Sequence, residues 1–201
     1  MFLIVNKTDK QIIECSNAEL YQHRTYIGAH EIETNPRNSY WYIDDDRVIC
    51  ETGSGKILNS SCMCVEIFGY TPETRSSTFS RGTDLPYING CSTKQLINPA
   101  RQGDPTFQYL RIPAGTSEQA HHIHATARIV YVAEGSGQSI VGTPDNKTVH
   151  PLNTGDVIIL GKMTPHHFET KDEDLTVLPV HVFSSSNQEF DHPMYNGTHR
   201  T

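Results

Sequence analysis

No long apolar run, no internal repeat and no cluster of lysine or arginine appears in the 201 residues. Each absence removes a class of function. Without a stretch of about 18 apolar residues there is no candidate transmembrane helix, and the apolar start, 1–5, reaches Lys7, Asp9 and Lys10 too soon for the core of a secretion signal. A cytoplasmic location is expected. A formal charge of -7 with no basic patch argues against a nucleic-acid groove or an anionic membrane face as partner. That leaves a small molecule, or a second copy of the chain in a homodimer. Cysteine is sparse: Cys15, Cys50, Cys62, Cys64 and Cys91 are odd in number and scattered, which suits reduced thiols rather than a disulfide framework. Strand alternation puts Cys62 and Cys64 on one face, a pairing open to a soft metal but read here as buried free thiols.

Helical patterning is scarce as well. Only 17–23 offers a short helix. The apolar fraction is 36%, enough for a sizeable core, and the length fits one domain with extensions. From residue 106 the chain breaks into short β-rich segments separated by turn signals: 106–112, 120–124, 128–133, 138–142, 148–150, 157–160, 166–169 and 175–183. Eight such segments in roughly 80 residues fit a small jelly-roll barrel. The expected organisation is a barrel at 105–183, a polar tail at 184–201, and an N-terminal extension at 1–104. That extension is expected to add strands to the barrel or to a dimer, because bare sheet edges are a liability.

Histidine is what the second half has in abundance. Seven of the 11 histidines fall between His121 and His181. In a strand, residues two apart share a face, so His122 and His124 point the same way and can chelate. His166, after Thr164 and Pro165, supplies a third imidazole from another segment. Three neutral imidazoles suit Fe, Mn, Ni, Zn or Cu and leave coordination positions open for water, oxygen or substrate. His121, His150 and His167 are read as surface or satisfied core histidines. Tyr109, on the strand entering this region, is a candidate cavity-facing acid or base. His181, in the last apolar strand, is a candidate inward-facing proton carrier. Tyr131 has the opposite parity to Arg128 and is expected to pack outside the barrel.

These residues resemble the cupin superfamily. Gly115, His122, His124 and Gly135 look like its first motif, and Gly155, Asp156 and His166 like its second. The resemblance covers about residues 105–183 and implies an all-β, cupin-type double-stranded β-helix holding one divalent ion in a three-histidine site. Gly161 and Met163 depart from the second motif, where Pro and Gly are common. The departure with most consequence is Arg128, which stands where cupins of the His3Glu type place their carboxylate ligand. A guanidinium cannot coordinate a metal. At about 5 Å from a divalent ion it would meet roughly 7 kcal/mol of repulsion at an effective dielectric near 20. Either Arg128 turns to a carboxylate such as Glu134 or Glu169, as a structural salt bridge, or an anionic substrate lies between it and the metal. Glu118 is a substitute ligand if the strand bearing His122 begins that early.

Cupin dioxygenases of similar pattern use three histidines around Fe(II) and act on carboxylate-bearing substrates. The resemblance therefore implies a metal-dependent enzyme for a small anionic substrate, most concretely an Fe(II) dioxygenase. A lyase, isomerase or decarboxylase on the same site, and a non-catalytic cupin binding metal or ligand, are the alternatives.

Overall fold

The computed structural model describes residues 2–15, 21–80, 84–101 and 103–183. Of the expected helix at 17–23, residues 17–20 lie outside the described residues, and His23 opens a strand. The tail at 184–201 lies outside them too. The first half holds β1 (Phe2–Asn6), β2 (Gln11–Cys15), β3 (His23–Ile27), β4 (His30–Glu33), β5 (Asn38–Asp44), β6 (Arg47–Thr52), β7 (Ile57–Ser60), β8 (Met63–Phe68), β9 (Arg75–Thr78), β10 (Leu85–Pro86) and β11 (Ser92–Ile97). The second holds β12 (Thr106–Ile112), β13 (Thr126–Thr143), β14 (Asn146–Asn153), β15 (Asp156–Leu160), β16 (His166–Glu169) and β17 (Leu175–Phe183). One short 3-10 turn, Ile88–Gly90, is the only helical element among the described residues. No helix there is long and apolar enough to cross a membrane.

The strands pair antiparallel into a nine-stranded sheet, a six-stranded sheet and a two-stranded sheet. The nine-stranded sheet runs β1-β15-β13-β17-β12-β11-β10, with β14 and β16 also bonded to β13. Three strands of the first hundred residues therefore belong to the sheet of the second half. The others form a layer of their own, in the order β2-β3-β8-β5-β6-β9, beside the β4-β7 pair. Burial explains why they do. In β5 every residue from Asn38 to Ile43 is buried, so both faces of that strand need cover. A strand added to a barrel edge would leave one face wet.

Alternation then sorts each strand between two environments. Trp41, Ile43, Val48, Met63, Val65 and Ile67 point toward the second half and pack with Phe107, Ile129, Tyr131, Val157 and Val180. Tyr26, Tyr40, Tyr42 and Cys64 point the other way, onto Ile32 of β4 and Leu58 of β7. In the second half, Val130, Val132, Ile158, Leu160, Val177 and Phe168 fill the jelly-roll interior. Tyr131 packs outside the barrel, against the first half. Cys62 and Cys64 part company: Cys62 precedes β8 and joins the seam between the halves, whereas Cys64 faces the aromatic cluster of the first half. The expectation of one shared face fails because the regular strand starts only at Met63.

Two segments expected as separate strands, 128–133 and 138–142, are one bent strand, β13. It passes from β15 and β17 to β14 and β16, with a register shift between Val132 and Glu134. Gly135 makes the bend possible. Its φ is +79°, and a Cβ there would lie 1.8 Å from the carbonyl oxygen of Asp174.

Candidate metal centre

The segment carrying His122 and His124 is irregular rather than the strand that alternation suggested. Two isolated bridges hold it, Ser117 with Glu169 and His122 with His166. At the second bridge the backbone N–H of His122 donates to His166 O (3.1 Å) and that of His166 to His122 O (2.9 Å). Met163, at a left-handed φ of 58°, donates its N–H to His124 O (2.7 Å). The turn before β16 thus fastens the first two histidines to the third. Convergence comes from this cross-link and not from strand parity.

One ring nitrogen from each of His122, His124 and His166 lies within 4.8 Å of the others. With metal–nitrogen bonds of about 2.1 Å, one ion fits between them after small side-chain shifts. The tautomers favour it. His122 donates its Nδ1 proton to Ala120 O (2.8 Å) and His166 donates its own to Thr164 O (2.7 Å). On both rings the Nε2 lone pair is left facing the centre. His166 Nε2 is buried with no hydrogen-bond partner, and His122 Nε2 stands 2.7 Å from His124 Nε2. A buried acceptor without a donor is costly in a finished core. The three rings form a group that could hold a metal ion.

Burial sets the protonation of these rings. It lowers His166 to about 4 and His124 to about 3, and draws His122 below its usual value. The charge of Arg128 pushes each of them further down. All three imidazoles are neutral at physiological pH, which is the ligating form.

The charge beside Arg128 is answered by Glu118, not by Glu134 or Glu169. Glu169 instead accepts a hydrogen bond from His167 Nε2 (2.8 Å). Glu118 is 3% exposed, its Oε1 has no hydrogen-bond partner, and that oxygen lies 3.9 Å from His122 Nε2. Burial raises its carboxyl to about 7, while Arg128 pulls the other way. Burial likewise lowers Arg128 to about 10, which leaves it cationic at neutral pH, and Glu118 opposes that shift. Arg128 Nε also has no partner. No continuous strand runs from 118 to 124. In the structure Glu118 is held separately, by its N–H donating to Phe168 O (3.1 Å).

Of the other expected site residues, the structure brings one to the histidines. His181 is paired across β17 with Arg128 and is fully buried. Its pKa is pushed well below the usual value by burial and by the charge of Arg128, and its Nε2 has no partner. Tyr109 is elsewhere. It lies on the face of β12 that packs toward the first half, with the Lys94 ammonium 4.4 Å from its ring centroid. Leu110 and Ile112 take the inward positions of that strand. His121 donates from Nε2 to Gly142 O (2.6 Å), and its Nδ1 lies 2.7 Å from His167 Nδ1. Gln119 gave no sequence signal. Its amide nitrogen lies 2.6 Å from His122 Nε2 and competes with an ion for that lone pair, and its Oε1 accepts from Tyr87 of the first half (2.9 Å).

With this geometry in place, the comparisons with known proteins fall into line. The family model described as "Cupin domain" matches residues 108–182. Those residues are a cupin domain. No curated protein resembles the sequence closely enough to count as a relative. Among solved structures, the fold is similar to that of the protein Ylba from E. coli, at a TM-score of 0.62 and 10% identity over 94% of this chain and 93% of that one. It is similar to HEPD from Streptomyces albus with 2-hydroxyethylphosphonate and Fe(II) bound, at 0.61 and 7% over 93% and 77%. It is also similar to a single-residue variant of oxalate decarboxylase from Bacillus subtilis, at 0.59 and 11% over 91% and 78%. At such identities the likeness is one of fold. It nonetheless spans both halves, so the layer built by β2–β9 belongs to the shared architecture along with the cupin domain.

Proposed function

We propose that the protein is a metal-dependent cupin enzyme acting on a small anionic substrate, most concretely an Fe(II) dioxygenase of a carboxylate. One observation carries the reading: three neutral imidazoles converge beside a half-buried Arg128 and a buried Glu118, and four buried polar atoms of this cluster have no hydrogen-bond partner. Those atoms are His166 Nε2, Glu118 Oε1, Arg128 Nε and His181 Nε2. A purely structural cluster of this size would satisfy its own donors and acceptors.

His122, His124 and His166 would hold the ion, which when bound supplies Lewis acidity or oxygen chemistry at its open positions. Glu118, buried with its Oε1 3.9 Å from His122 Nε2, would offset part of the ion's charge. Arg128 would orient the anionic group of the substrate, since its charge survives burial and its fork matches a carboxylate. His181, buried and neutral, would take or return a proton at Nε2. The similar folds of HEPD with Fe(II) and of oxalate decarboxylase, each named for a small anionic substrate, support the class.

A second reading rests on Glu118 and His181. Two buried groups able to exchange a proton suit a lyase, isomerase or decarboxylase, in which no oxygen is consumed. Metal analysis of protein purified without added metal, then anaerobic reconstitution with Fe(II) and an oxygen electrode screen over small carboxylates, separates the two. Oxygen uptake that tracks iron content supports dioxygenation. Turnover with a redox-inert ion and no oxygen uptake supports the second reading. Protein that takes up no divalent ion would overturn both.

A further inference from the structure

Away from the histidines, a cavity of about 580 Å³ lies where the turn between β8 and β9 meets the loop between β11 and β12. It lies within the first half, between those loops, and its volume is within the usual range for a small-molecule site. Tyr21, Tyr70, Glu73, Arg75, Arg101 and Asp104 are among its walls.

Two of these charges cancel. Asp104, 2% exposed, accepts from Arg101 Nη2 (3.1 Å), from the Arg101 backbone N–H (2.9 Å) and from the Tyr21 hydroxyl (3.1 Å). Glu73 is exposed. Arg75 has no such partner. Its Nη1 donates to Asn98 O, its Nη2 is buried and unbonded, and no carboxylate lies within ion-pair distance of it among the described residues. The nearby Cys50 thiol, which burial pushes up to about 12, stays neutral and offers no countercharge. The Tyr70 hydroxyl is likewise buried and unbonded, and burial keeps it protonated as a donor. The Tyr21 and Tyr70 rings, with centroids 5.3 Å apart, give the cavity an aromatic wall. One uncompensated cation, one idle hydroxyl donor and a pair of tilted aromatic rings are complementary to a monoanion with an apolar body.

We propose that this cavity is a second small-molecule site, taking an organic carboxylate whose charged end is met by Arg75 and the Tyr70 hydroxyl and whose body lies along the tyrosine rings. The proposal does not depend on the metal centre.

The protein carries its own reporter. Trp41 is the single tryptophan and stacks on Tyr70, with centroids 6.4 Å apart. Benzoate titrated into the full-length protein should give a saturable change in tryptophan fluorescence. Benzamide, its neutral counterpart, should need at least about tenfold more ligand. Arg75→Gln should weaken benzoate by about tenfold or more and Tyr70→Phe by a smaller factor, while His166→Ala should leave the titration unchanged. The absence of a saturable change, equal response to benzamide, or an unaffected Arg75→Gln protein would overturn the proposal. So would loss of the signal in His166→Ala, which would assign the carboxylate to the metal centre. Should Arg75→Gln fail to melt cooperatively, Tyr70→Phe, which keeps the ring, carries the same test: unchanged benzoate affinity there would count against the site.

Discussion

The two halves solve the same packing problem with opposite chemistry. Each places polar side chains inside a β-layer, at depths where apolar residues are the rule. In the first half the polar centre is Glu66, 4% exposed. It accepts hydrogen bonds from Tyr26 (2.9 Å), Tyr40 (2.8 Å), Asn38 (2.7 Å) and Arg24 (3.2 Å). Its two oxygens therefore have all the donors they can use. In the second half the imidazoles, Arg128 and Glu118 converge with several atoms left idle. A satisfied network rigidifies and holds position, whereas an unsatisfied one costs stability unless something binds. By this contrast the Glu66 cluster reads as scaffold and the histidine cluster as the candidate site.

Breaking each centre should have different consequences, and the larger loss of stability belongs to the first half. Glu66→Ala strands four donors and leaves Arg24 without its buried partner. It should cost about 3–5 kcal/mol in urea unfolding while leaving metal content per folded protein unchanged. An effect under about 1 kcal/mol would mean that water or rearrangement serves those donors, and the contrast between the halves would weaken. His166→Ala should do the reverse. Metal affinity, read by elemental analysis after dialysis against a competing chelator, should fall by at least about a hundredfold, near 2.7 kcal/mol. The metal-free protein should lose less stability than Glu66→Ala does, because His166 gives up one neutral hydrogen bond, from Nδ1 to Thr164 O, and its Nε2 bonds to nothing.

What the sequence disclosed follows from how local each signal is. Turn residues and alternation found the strands of the cupin domain, and the spacing of His122, His124 and His166 found the cluster, because these features act over a few residues. The position of Glu118 is not legible locally, because it depends on β16, some fifty residues away, through the bond to Phe168 O. Tyr109 was misplaced for a related reason. Which face of β12 is interior is decided by Leu110 and Ile112 packing under β13 and β17, and Tyr109 falls on the other side. The first half was hardest to read. Its central strands β5 and β8 are buried on both faces, so their apolar and polar residues do not alternate in the way that marks a half-exposed strand. Glu66 looks like a surface charge in sequence, and only the register of β3, β5 and β8 brings four donors to it.

Acid should also distinguish ordinary burial from the site. His23 lies in the first half, is 1% exposed, and is lowered to about 4 by burial, as His166 is in the second. A histidine held neutral in the folded state but free to protonate when unfolded favours unfolding as pH falls below its ordinary value near 6.5. Between about pH 6 and 4, each should remove ~1.4 kcal/mol of stability per pH unit. Urea unfolding of the metal-free protein at pH 7 and pH 5 measures the sum. His23→Asn, which cannot protonate, should flatten the dependence by one histidine's share, and no flattening would mean that His23 is protonated in the fold.

Tyr109→Phe should have the smallest effect. The hydroxyl sits on the seam side of β12, near Asp84 and Thr176 rather than the imidazoles, so its removal costs at most one modest hydrogen bond, about 1 kcal/mol or less. The ring, and with it the contact to the Lys94 ammonium, is retained. Metal content should be unchanged, and any turnover found in the carboxylate screen should stay within about twofold of the parent, equivalent to roughly 0.4 kcal/mol. Arg128→Gln in the same assay should lose turnover while still folding. A Tyr109→Phe protein that instead lost activity tenfold with its metal in place would put the reacting atoms on the seam side of β12, and with them the boundary between scaffold and site.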